Sequence, residues 1–251
     1  MIMKTFLQFK LIWIIPFIIY FLGEILLAYE QSDLDRLART RKCIGCDFRD
    51  ADFSMGSLLN PILGLAELLG SEQRRASLLG TLMDGADLLK TDLQRVDVSR
   101  SDFRGARLLG ANLVGTYMGE ANLSGVDLRL ANLHEVNLQK ADLSNANCSG
   151  ANMYGINLVQ AKLKDADLSL ANLHLATLRE ADLSGVNFRR ANLSGANLSG
   201  ANLQKTTLEG VDLSGAYLRG TNIDFESQVK DIRLCKTVMP DGQINNRDCE
   251  K

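Results

Sequence analysis

From Leu78 to Ile223 every fifth residue is apolar, thirty positions in an unbroken series that includes Met83, Phe103, Cys148, Phe188 and many leucines. Calling each of these i, the residue at i−2 is also confined: eighteen are Ala, five Val, five Thr, and the others are Ser101 and Ile156. No charged side chain occurs at i−2. Position i−1 is usually Asp or Asn, and i+1 and i+2 are polar, small or charged with few exceptions, such as Leu109 and Val159. Gly recurs at i+2, as in Gly110, Gly115, Gly125 and Gly195.

A period of five suits neither a helix, which repeats near 3.6, nor a simple strand, which repeats at 2. On a helix it would walk round the cylinder and leave no apolar stripe. The recurring Asn, Asp, Ser and Gly also oppose long helices. Within a pentad, however, small–polar–large across i−2, i−1 and i puts two side chains inward and one outward, which is a very short strand. Gly at i+2 suits a turn. Each unit has too little apolar surface to fold alone, so units must stack into one continuous core, as in other solenoids.

The motif A(D/N)LxG, held in register over thirty pentads, resembles the pentapeptide-repeat family. That resemblance implies an all-β, right-handed quadrilateral β-helix with four pentads to a coil. Given twenty residues per coil, Phe103, Leu123, Leu143, Leu163, Leu183, Leu203 and Ile223 form one core column, and Leu88, Leu108, Leu128, Cys148, Leu168, Phe188 and Leu208 form another. Stacked at about 4.8 Å, thirty pentads make a rod of roughly 36 Å. The phase extends back through Phe48, Phe53 and Leu58. Residues 59–77 are irregular: Gln73 falls at an i position, and Pro61, Glu67, Arg74 and Arg75 break the pattern. The expected organisation is an apolar N-terminal segment over 1–28, an entry cap over 29–47, the β-helix over 48–223, and a non-repeat cap over 224–251. Within that last cap a short helix is expected around 226–233, then a turn at Pro240-Asp241-Gly242. Segments 40–53 and 234–242 resemble the flanks of cyanobacterial members of the family.

The chain's start differs from the rest. Lys4 and Lys10 precede the apolar run 11–22, and Gly23, Glu24 and a second short run lead to Ala28. A positive start, an apolar stretch and a small residue is the order of a secretory signal. Leu26 is a poor −3 residue for cleavage after Ala28, and the run is short for a membrane span. Signal, retained membrane anchor and packed apolar helix stay open. The corresponding location is periplasm or thylakoid lumen, with or without a membrane tether, against a cytoplasmic alternative.

Composition narrows the chemistry. Formal net charge is −2 over 251 residues and aromatics are 6%, so nothing invites nucleic acid electrostatically. Cys43 and Cys46 lie near one end of the rod, Cys235 and Cys249 at the other, and Cys148 inside it. The rod holds the pairs too far apart for one zinc site. In an exported protein a Cys235–Cys249 disulfide is the expectation, whereas Cys148 reads as an inert core residue. His134, Tyr154 and His174 share an outward column at i+1, with the histidines about 9.6 Å apart. That is too far for a shared metal or a paired base, so the column is a candidate protein-contact patch. No Ser/His/Asp set, phosphate loop or metal spacing occurs, and no cofactor is expected.

These readings favour a noncatalytic structural or protein-interaction rod, with partner and oligomeric state open. Two alternatives come from other classes. Some family members mimic DNA and shield gyrase, but residues 78–223 carry fifteen Asp/Glu and fourteen Lys/Arg and are almost neutral. A thiol–disulfide protein would use the Cys43/Cys46 CxxC.

Overall fold

A computed structural model describes residues 88–226 and 230–249, together with 36, 37, 40, 42, 43, 46, 48, 80, 83, 85 and 86. The N-terminal apolar segment and the irregular 59–77 lie outside these residues.

The one-residue strands expected from the pentad stack as parallel bridges, and from Asp92 to Tyr217 each bridge joins positions twenty residues apart: Asp102 with Asn122, Asn122 with Asp142, Asn152 with Asn172. Four pentads therefore complete one coil. The pentad Ala121–Gly125 shows why the sequence has this grammar. Its five backbone N–H groups all have acceptors. Ala121 donates to Met118 O at 3.2 Å, closing the preceding turn, and Asn122 donates to Ser101 O at 2.9 Å in the coil behind. Leu123 and Gly125 donate to Asp142 O and Ser144 O in the coil ahead, at 2.6 and 2.9 Å. Ser124 N has no backbone partner and donates instead to Asn122 Oδ1 at 3.1 Å. The side chain at i−1 thus satisfies the one amide that the ladder leaves over, the job Asn and Asp perform in Asx turns.

Every i+2 residue from Gly80 to Gly220 has φ between +54° and +73°. One left-handed residue at the third place of a turn closed from i to i+3 is the type II form. Glycine fills this place without cost, but Lys140, Leu130 and Leu170 adopt it as well, at +61°, +56° and +59°. The corner is imposed by the coil rather than by local preference.

The interior matches the two apolar positions. Phe103, Leu123, Leu143, Leu163, Leu183 and Leu203 are buried as one column, and Cys148 and Phe188 are buried in the next. Ile223 is only partly buried, because the regular coil ends there. Hydroxyls at i−2 are buried but not wasted: Thr91 and Thr206 donate to Leu88 O and Leu203 O at 2.9 and 2.8 Å. Upstream, Leu37 and Phe48 belong to the same core.

The C-terminal segment departs from expectation. The repeat motif stops at Ile223, yet the ladder continues: Asp212 bridges Arg233 and Tyr217 bridges Val238, each at a spacing of twenty-one rather than twenty. One inserted residue hides this coil from a five-residue pattern. The described part of 226–233 is turn, bend and bridge rather than the expected short helix; 227–229 lie outside the described residues. The ladder then needs an end. Strand β1 (Thr237–Val238) folds back antiparallel onto β2 (Ile244–Asn245) through the turn at Pro240-Asp241-Gly242, where Gly242 has φ +88°. Cys235 and Cys249 are joined by a disulfide. Asp248 accepts the Leu234 amide at 2.8 Å, and Arg247 donates to Ile232 O at 2.8 Å.

Candidate interaction face

The side of the coil whose outward column runs Asp92, Asn112, Asn132, Asn152, Asn172, Asn192, Asp212 has the longest unbroken run of asparagine among the four outward columns. Five consecutive asparagines leave its middle without charge. Their amides form a ladder: Asn152 Nδ2 donates to Asn132 Oδ1 at 3.0 Å, Asn172 to Asn152 at 3.2 Å, and Asn192 to Asn172 at 3.3 Å. Asn172 and Asn192 Oδ1 each also accept a backbone N–H two residues on, so the amides are held in one orientation.

Two corners border this ladder. One carries His134, Tyr154 and His174, brought together as stacked rings with centroids 5.0 Å and 5.5 Å apart. His174 Nδ1 lies 2.8 Å from Ser194 O and 2.7 Å from Ser194 Oγ. A carbonyl only accepts, so the bond to Ser194 O places a proton on Nδ1. Glu135 Oε1 lies 3.7 Å from His134 Nε2. The opposite corner carries Leu130, Gly150 and Leu170. Leu130 and Leu170 are 71% and 60% exposed, and Leu175, beside His174, is 48% exposed. These are three of the five large apolar side chains exposed among the described residues.

The leucines are the functional candidates that sequence reasoning missed. Their signal was available: Leu130, Leu170 and Leu175 stand at i+2, where the pattern calls for Gly or a polar residue, and a left-handed backbone disfavours a bulky side chain. Across residues 149–155 and 169–175 no charged side chain occurs. Some of the surrounding charges are paired locally. Arg129 donates to Asp127 at 2.8 Å and Arg189 to Glu209 at 3.1 Å. The Arg129 hydrogen bond holds the Asp127 carboxyl below the usual aspartate range against the opposing effect of burial.

The repeat itself decides the kinship. The family described as pentapeptide repeats matches in 8 copies over residues 74–110, 111–150, 141–179, 156–195 and 196–225, more than half of the chain. This chain belongs to the pentapeptide-repeat family. Among solved pentapeptide-repeat structures it is similar to HetL, involved in heterocyst differentiation regulation in the cyanobacterium Nostoc sp. strain PCC 7120, at 28% identity over 89% of this chain and 98% of that one, with a TM-score of 0.40. A thylakoid-lumen pentapeptide repeat protein from Arabidopsis thaliana is 33% identical over 39% of this chain and 68% of its own, with a TM-score of 0.39. QnrB1, a plasmid-mediated fluoroquinolone resistance protein, is 15% identical over 76% of this chain and 92% of its own, with a TM-score of 0.45. No curated protein matches.

The cysteines of this pentapeptide-repeat chain are placed as follows. Cys148 is sealed in the core, where burial first, then the carboxylates of Asp167 and Asp127, push its thiol up to about 12. Cys43 and Cys46 are joined by a disulfide whose two residues are buried, with the Arg36 guanidinium against Cys46 Sγ. Among the described residues no group of three His, Cys, Asp or Glu is placed to hold a metal, and no helix is long and apolar enough to cross a membrane.

Proposed function

We propose that this chain is a noncatalytic, exported rod that presents its asparagine face, between residues 129 and 175, to a protein partner. One observation carries the reading: the only exposed leucines among the described residues, Leu130, Leu170 and Leu175, flank an uncharged amide ladder and a column of two histidines and a tyrosine. Exposed apolar groups beside aromatic and amide contacts are the composition of a protein interface core, from which charge is depleted. The rigid coil fixes these groups in place, so little ordering entropy is lost on binding. Export is supported by the Lys4/Lys10 and apolar 11–22 order and by two disulfides, which persist in oxidising compartments. A gyrase-shielding mimic of DNA needs an acidic face, and the charges here are of mixed sign and nearly balanced over residues 78–223.

A photo-crosslinking residue placed at Tyr154 in the native host tests the face, with Lys162 on the opposite side as the control. The reading expects a protein adduct from position 154 and none from 162. Equal labelling from both, or none from 154, would overturn it. The mature N-terminus, read by mass spectrometry, tests export: a start near residue 29 is expected for a cleaved signal, and an intact soluble cytoplasmic chain would refute export.

A further inference from the structure

We infer that a second copy of this chain covers the asparagine face, packed antiparallel about a two-fold axis that crosses the rod at the coil of Gly150, Asn152 and Tyr154. The inference rests on the reading of this face as a binding surface and names its occupant. Its ground is a palindrome. Up one corner the side chains run Leu130, Gly150, Leu170; up the centre, Asn132, Asn152, Asn172; up the other corner, His134, Tyr154, His174. An isologous interface places one patch against itself, residue i on j and j on i. Rotation about the proposed axis sets Leu130 on Leu170 of the second copy, His134 on His174, and Tyr154 on Tyr154. Within these three columns each class of side chain meets its own class; at the margins Glu135 falls opposite Leu175 and Arg129 opposite Ser169.

The centre is equally self-complementary. An amide is both donor and acceptor, so an asparagine ladder can face another, whereas a carboxylate ladder would repel its copy. Both ladders also repeat at the same spacing, since the bridges along the column from Asp92 to Asp212 join residues twenty apart, so the match at one coil recurs at its neighbours. Along the asparagine column itself charge appears only at Asp92 and Asp212, three coils from the axis on either side, while Arg129 and Glu135 stand at the two corners of the coil next to the axis. The face from Asp92 to Asp212 is about 29 Å long and roughly 15 Å wide, or ~430 Å² in plan for each copy. That lies near the low end of specific interfaces. The dimer is accordingly weak, with dissociation in the micromolar range or above.

Sedimentation velocity on the chain as isolated from cells, from about 1 to 500 μM, tests this. The expected result is a reversible monomer–dimer shift, lost in Leu130→Asp/Leu170→Asp and kept in Lys162→Ala. The two leucines are exposed, so circular dichroism and thermal unfolding of the double variant should match the parent. A Tyr154→Cys variant should form a disulfide between copies on oxidation. A monomer at every concentration, a dimer indifferent to the leucine charges, or no bond through position 154 would each overturn the inference. The photo-crosslink then separates the two readings: adducts at twice the chain mass support the second copy, adducts of another mass keep the face and discard this occupant, and no adduct discards both.

Discussion

Leu143 sits at the middle of the longest core column, fully buried between Leu123 and Leu163. Replacing it with Ala removes most of a buried side chain from a coil whose backbone is pinned above and below. Leu123 N and Leu143 N bond to Asp142 O and Lys162 O at 2.6 and 2.7 Å. The ladder cannot collapse without breaking those bonds, so the cavity stays open. The cost is then expected in the range of roughly 2–5 kcal/mol measured for buried Leu→Ala changes, towards the upper half. Urea unfolding followed by circular dichroism reads it. With m near 3 kcal/mol/M, about 3 kcal/mol moves the midpoint down by roughly 1 M. Because each coil contacts only its neighbours, the loss also loosens the rod locally, and amide exchange should rise first in the coils around 123–163. Leu130→Ala is the control: its side chain is 71% exposed, and its stability should stay within about 0.5 kcal/mol of the parent. Equal costs at 143 and 130, or a loss under about 0.5 kcal/mol at 143, would refute the reasoning that a leucine's place in the pentad decides its role.

Asn122→Ala strips the acceptor from Ser124 N and should cost about 1 kcal/mol in the same assay, with Asn122→Asp keeping most of it. Opening the Cys235–Cys249 loop by Cys235→Ser/Cys249→Ser should cost roughly 3 kcal/mol in the chain-entropy estimate and raise amide exchange over 230–249 before the central coils. Cys148 should resist thiol reagents at pH 8 in the folded protein and label only on unfolding; labelling in native buffer would place it outside the core. The Arg247 hydrogen bond, followed by the Leu234 amide, lowers the Asp248 carboxyl in the folded cap. Its contribution is therefore present above the ordinary value of 3.8 and fades as pH falls through the depressed folded value. Asp248→Asn should weaken the cap at pH 7, and the gap from the parent should close in acid; a gap independent of pH would contradict this.

The regular rod was legible because its rule is local. One large and one small apolar residue per pentad name the core, and the structure buries Phe103 through Leu203 as that rule requires. The twenty-residue coil was not in the period, since five repeats equally in any stack of pentads. It came from the family resemblance, and the bridges from Asp92 to Tyr217 bear it out. The extra coil at Arg233 and Val238 escaped because one inserted residue shifts its phase to twenty-one. For the face, the column of His134, Tyr154 and His174 followed from their spacing once the family resemblance had supplied the twenty-residue coil. The leucines across the ladder did not stand out, because Leu at i+2 reads as noise until the corner geometry shows that i+2 points outward. The asparagines carried a double meaning: an i−1 amide holds its own turn, and only five of them in succession mark one side of the rod as different, since the next column is free of carboxylates from Tyr117 to Tyr217 as well.

The four-sided coil requires residues twenty apart to be neighbours. Ser149 and Ser169 test this directly, since their hydroxyl oxygens lie 3.0 Å apart on adjacent coils. In a Cys148→Ala background, Ser149→Cys/Ser169→Cys should oxidise rapidly to an intramolecular disulfide seen by peptide mapping, and Ser149→Cys/Val159→Cys, half a coil apart, should not. Bonding in the 149/159 pair with none in 149/169 would contradict the four-sided coil, and with it the face built upon it.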